Sequence, residues 1–263
     1  MPTFPEDIFT EPEPDPHTLR NLGPLAPLAG IWEGRGVDVH PAEQGTEENE
    51  YIERIELQPI DGQTNGPQLY YGLRYHTRIV KPDDVETFHD QVGYWLWEPA
   101  TGTLVQTLAI PRGQIAMAIG RASPDAKTFE LTAQRGSPVN GICSNPFLEY
   151  AFETTEYRIR VSINPDGTWS YALDTILLVH GRPEPFHHTD RNTLRKVGEP
   201  TPNPNLPFGF LRSPRGGIAS SSCSPPMIDV IDRFQRKDRL DWIARPADTF
   251  AVIPTPTYRI AVS

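Results

Sequence analysis

The chain is short of cysteine, of positive charge and of long apolar runs, and each shortage excludes something. Two cysteines in 263 residues, Cys143 and Cys223, make neither a disulfide framework nor a C-x-x-C pair, which suits a reducing, cytoplasmic setting. Lysine and arginine number 24 against 34 aspartates and glutamates, a net charge of −10, and no basic run is present to meet a phosphate backbone. Nucleic acid is therefore not an expected partner. Nothing approaches the roughly 18 consecutive apolar residues of a membrane span. The first residues, Met1 to Pro16, are acidic and broken by prolines, unlike a signal or transit peptide. A membrane is not expected either. Also missing are G-x-S-x-G, G-x-G-x-x-G, P-loop and H-E-x-x-H patterns.

Proline is in excess, and it is unevenly spread. Of 29 prolines, seven lie from Pro2 to Pro27, ten from Pro200 to Pro256, and twelve between. That distribution predicts an extended acidic segment over 1–21, a folded domain over 22–198 and a proline-rich extension over 199–263. Within the extension, Met227, Val230, Ile231 and Phe234 have helical spacing, so a short amphipathic helix is predicted over 227–237.

The middle reads as successive strands: Ile31–Val39, Tyr51–Gln58, Gln68–Val80, Phe88–Trp97, Leu104–Ile110, Gln114–Arg121, Thr128–Gln134, Tyr150–Ile163, Thr168–Val179 and Phe186–Val197. Pro99–Gly102, Pro111–Gly113 and Asn164–Gly167 supply turn chemistry between them. A short helical entry is expected at Pro24–Ala29. Strands in such number without crossover helices must manage their edges, and closure does so best. The fold expected is all-β: an antiparallel up-and-down barrel of about ten strands, with a sandwich as the competitor. A barrel larger than about eight strands leaves interior room for a ligand.

Several residues invite a chemical reading. Cys143 has no locatable partner, and a lone cysteine is usually a small buried apolar residue. Glu43, Glu47, Glu48, Glu50, Glu53 and Glu56 read first as a solvated loop and strand face, which singles out no glycosidase pair. Two segments are more informative. In Gly30-Ile-Trp-Glu-Gly-Arg-Gly36, Trp32 shares a strand face with glycines, as at a bend in a barrel wall or beside a flat ligand. In Pro185-Phe-His-His-Thr-Asp-Arg-Asn-Thr-Leu-Arg195, His187 and His188 are adjacent in one strand and must point to opposite faces. They are poor joint ligands for one metal. A single inward imidazole, however, can be the axial ligand of a haem iron.

Together with His89-Asp-Gln-Val-Gly-Tyr-Trp-Leu-Trp97, these segments resemble the nitrobindin-like haem-binding β-barrels. Those are relatives of the fatty-acid-binding-protein-like barrels and of the C-terminal domain of the human THAP-type nitrobindin. The resemblance runs from about Leu22 to Val197. It implies a ten-stranded barrel with ferric haem b at its mouth, held by one histidine of the last strand, and members that react with nitric oxide and isomerise peroxynitrite to nitrate. Carried onto this chain, it places the axial ligand at His188, with His187 second, and puts Trp32 and Gly34 beside the haem. His89 and Gly93 match a middle element read as structural. The residues after the ligand, Thr189-Asp-Arg-Asn192, depart from the family's apolar strand. Arg74, His76, Arg78, Arg112 and Arg121 are available cations for propionates. The competing function is a haem-free carrier of an apolar small molecule, with Arg74, Tyr75 and His76 facing inward to fix a polar head. A third is a haem-free enzyme using inward His and Asp as acid and base.

Overall fold

The structure is a computed structural model that describes residues 5–84 and 86–201. The predicted helix over 227–237 lies outside the described residues. Eleven strands form a closed barrel: β1 Gly30–Pro41, β2 Thr46–Asn65, β3 Gln68–Val80, β4 Thr87–Glu98, β5 Thr103–Ile110, β6 Gln114–Arg121, β7 Thr128–Arg135, β8 Gly141–Ser144, β9 Phe152–Ile163, β10 Trp169–Val179 and β11 Phe186–Gly198. Their order around the wall is β1-β11-β10-β9-β7-β8-β6-β5-β4-β3-β2. The expected barrel of about ten strands is present, with two local differences.

The first is β8, four residues that pair antiparallel with β6 and parallel with β7. Only two residue pairs make the parallel contact, too few for periodicity to register. The second is helix α1, Pro146–Ala151, whose last two residues, Tyr150 and Ala151, were expected to open a strand. Pro146 sits in its first turn, and the Asn145 side chain accepts hydrogen bonds from the Phe147 and Leu148 amides, an N-cap that outweighs the apolar run. The expected helical entry is a 3-10 segment, Gly23–Leu28. Among the described residues no helix is long and apolar enough to cross a membrane.

Strand direction gives the barrel two different ends. One is closed by the 3-10 segment, whose Leu25 and Leu28 are fully buried together with Leu22 just before it. Trp32, Trp97, Trp169 and Leu194 pack into that end, each no more than 3% exposed, and the Trp32 and Trp169 rings meet edge to face at 6.2 Å. Trp32 Nε1 donates to the Leu28 carbonyl at 2.8 Å, which ties the plug to the first strand. The preceding segment lies along β2 and β3. The Asp15 amide donates to the Tyr71 hydroxyl, and Thr18 Oγ1 donates to the Ile60 carbonyl.

Candidate functional site at the open end

At the other end the inward residues change character. On β10, Tyr171, Leu173 and Thr175 continue the alternation begun by buried Trp169, yet they are only partly buried. On β11 the inward series is His188, Asp190, Asn192 and Leu194, with burial increasing toward the closed end. Inward side chains that remain accessible mark a chamber reached from outside. Beside it, Phe88, His89, Ile110, Pro111 and Arg112 line a cleft of about 370 Å³. A larger concavity of about 850 Å³ lies between Arg74, Tyr94, Met117 and Cys143, on the outer wall. The titratable side chains gather inside, at the open end.

His188 and His187 do point to opposite faces. His187 is outside, its Nδ1 at 2.9 Å from Asp174 Oδ2. His188 is inside, its Nε2 at 2.7 Å from Asp38 Oδ1 on β1. The second Asp38 oxygen takes His40 Nδ1 at 2.7 Å. Burial works against the Asp38 charge, but the hydrogen bonds and charges of His188 and His40 outweigh it and hold the carboxyl below its usual range. An ionised carboxylate only accepts, so each imidazole presents N–H to it. The second nitrogen of His188, Nδ1, has no hydrogen bond among the described residues. His89, also inward, is pushed toward its neutral form mainly by burial, and it feels the charges of Arg112, His188 and Asp38.

Deeper in, a polar cluster joins three strands, β2, β10 and β11. Tyr51 donates to Asp190 Oδ1 in a short hydrogen bond. The Tyr171 hydroxyl lies 2.9 Å from that of Tyr51, 2.9 Å from Glu53 Oε2 and 3.3 Å from Asp190 Oδ2. Asn192 Nδ2 donates to the same Glu53 oxygen at 2.8 Å. Burial first, then the neighbouring Asp190 charge, pushes the Glu53 carboxyl up to about 7, and burial pushes that of Asp190 up to about 6. Asn192 Oδ1 and Trp169 Nε1 are buried without a hydrogen-bond partner among the described residues.

The glycines of the first motif make room for this cluster. A Cβ on Gly36 would fall 2.2 Å from the Tyr51 phenol, and one on Gly34 would fall 2.6 Å from Asn192 Oδ1. Gly34 thus borders the polar cluster, whereas Trp32 belongs to the closed end. The structure does not bring Trp32 and His188 together: Trp32 pairs with Lys196 across β1 and β11, while Asp38 pairs with Asp190.

Other expectations need correction. Arg74 and His76 line the outer concavity and only Tyr75 is inside, since a strand cannot turn three consecutive residues inward. Cys143 is exposed on β8 rather than buried. Glu53 is 2% exposed and not part of a solvated face. Its alternation with Tyr51, Ile55 and Leu57 was the available signal, and so was the H-x-D-x-N-x-L alternation from His188 to Leu194. Asp38, two residues beyond Gly36, carried no signal of its own.

The family model of the THAP4-like, heme-binding beta-barrel domain matches residues 21–196. The chain belongs to that family. A solved structure, Rv2717c from M. tuberculosis, shows 26% identity over 69% of this chain and 98% of that one, with a TM-score of 0.47. Members of a haem-binding family should offer an imidazole with one nitrogen free and the other held by an acceptor, since metal-bound histidines keep that arrangement. In this barrel His188 meets both conditions, at the end where inward side chains remain accessible. The donor set therefore fits the group.

Proposed function

We propose that the open end of this barrel binds haem b, with His188 as the axial ligand, and turns over peroxynitrite to nitrate. The observation that carries this reading is the His188–Asp38 hydrogen bond at 2.7 Å, which leaves one imidazole nitrogen uncommitted in a solvent-reaching chamber. Ferric haem held there would supply Lewis acidity toward an anionic substrate.

The chain's own residues do the rest. Asp38 fixes the His188 tautomer and ring orientation. His40, on the other Asp38 oxygen, keeps that carboxylate oriented. His89 stays neutral and offers either a hydrogen bond or a lone pair without adding charge. Arg112, whose side chain donates to the Phe88 carbonyl at 2.8 Å, sets a cation on the rim for a propionate or for an incoming anion. Trp32 shapes the barrel floor rather than the binding face.

Hemin titration of the full chain, followed by Soret absorbance, tests the assignment. Wild type and His187→Ala should both give a saturable Soret band, whereas His188→Ala should weaken binding by about tenfold or more, the usual scale for a lost ligand or its supporting contact. Nitrate yield from added peroxynitrite should follow the same order. Equal, non-saturating titrations in all three proteins would sink the haem reading.

A further inference from the structure

The cluster beneath His188 is short of hydrogen-bond donors. Its acceptors are four carboxylate oxygens of Glu53 and Asp190 and Asn192 Oδ1, with two phenol oxygens besides. With both carboxyls ionised, only two phenol hydrogens and the Asn192 amide stand against them, and the indole N–H of nearby Trp169 meets none of them. Both hydrogen bonds to Glu53 fall on Oε2, so Oε1 receives none, and Asn192 Oδ1 is buried and unpartnered. Asn192 is only 5% exposed, and its amide is anchored to Glu53 through Nδ2, which keeps the empty oxygen at the cluster. Glu53 meets no cation among the described residues. A buried polar atom left without a partner normally points to a missing water or ligand.

The surroundings favour a cation over a neutral filler. The Tyr171 hydroxyl touches both carboxyls, at 2.9 Å from Glu53 Oε2 and 3.3 Å from Asp190 Oδ2, so its ring adjoins the acceptors, and an ammonium group is attracted by carboxylate and ring alike. The way in runs past Asp190 and Tyr171, which are only partly buried, from the chamber at the open end. The charged and titratable groups facing the pair are Asp38 of β1, Tyr51 of β2, Tyr157 of β9, Tyr171 of β10 and His188 of β11.

We infer that Glu53, Asp190 and Asn192 form a second binding site, below the proposed haem position, for the head of a small ammonium-class cation. The ammonium hydrogens fill Glu53 Oε1 and Asn192 Oδ1, and its charge balances the carboxylates. A short apolar tail lies back toward Leu173. The site needs no haem and stands whether or not His188 binds one.

The test uses the hemin-free full chain and two probes of equal shape, n-butylammonium and 1-butanol, by isothermal titration calorimetry near pH 7.5. The ammonium should bind saturably and at least about tenfold tighter than the alcohol, the scale of a charge-assisted hydrogen bond. Glu53→Gln should abolish that preference, and Asn192→Ala should reduce it. Glu33→Gln, the same charge change on the outer wall, should leave it intact, which separates the site from general attraction to an acidic protein. Equal affinity for both probes, no saturable ammonium binding, or a preference that survives Glu53→Gln would overturn the proposal. The wild-type comparison stands even if a variant does not fold. Because hemin is absent throughout, failure of the haem reading leaves this result untouched.

Discussion

The two ends of this barrel are built by the same strands and differ in what those strands turn inward. At the closed end, Trp32, Trp169 and Leu194 are buried to within 3%, and the Trp32 indole N–H is satisfied by the plug. At the open end the same alternation delivers Asp38, His188, Asp190 and Tyr171, groups that are satisfied mainly by one another. The closed end supplies stability through apolar area and packing. The open end gives some of it up, since buried carboxylates without cations cost free energy. A polar interior that stabilises little is better explained by what it binds.

The largest effect should come from breaking the closed end. Trp32→Ala should cost about 3–5 kcal/mol, read from urea unfolding, because it opens a cavity and strands the Leu28 carbonyl. Hemin binding by the surviving folded fraction should be little changed.

Next comes pH. Glu53 titrates near 7 in the folded protein against 4.5 for its ordinary value, so the folded state binds its proton more tightly than the unfolded chain. Its contribution is therefore fully present below about pH 4.5 and is lost as pH rises through about 7, an effect on the order of 3 kcal/mol. Unfolding free energy should fall between pH 5 and 8, and Glu53→Gln should flatten that slope. An unchanged slope would mean that Glu53 is solvated.

Gly36→Ala is a smaller intrusion. Its Cβ would meet the Tyr51 phenol, and overpacking of that kind costs about 1–3 kcal/mol. Thermal unfolding should show it, together with loss of the near-ultraviolet tyrosine signal of the cluster. Smallest of all is the pair on β11: His188→Ala should cost about 1 kcal/mol by removing an Asp38 partner. His187→Ala, on the exposed outer face, should stay within about 0.5 kcal/mol. The two should thus differ far more in hemin binding than in stability.

The barrel was legible because hairpin spacing, turn chemistry and period-two alternation all agree, as they do for Trp169 to Val179 on β10. The opposite facing of His187 and His188 followed from strand geometry alone. Residue-level chemistry was less legible. Glu53 sits in a run of glutamates, and its composition argued for solvent while its register with Tyr51 and Leu57 argued for burial; register decided. The meeting of Tyr51 with Asp190, 139 residues apart, depends on barrel closure, which no local pattern encodes. The glycines read correctly as special, but their reason is the width of Tyr51 and Asn192 on neighbouring strands rather than a bend.

The most direct test of the account is to locate the iron in crystals of the full chain grown with hemin, using its anomalous scattering. The prediction is a single iron at the open end bonded to His188, with Asp38 still against the other imidazole nitrogen and the Glu53 cluster lying below it. Iron bonded to His187, His40 or His89, iron seated only in the outer concavity by Arg74 and Tyr94, or no ordered iron at all would contradict it.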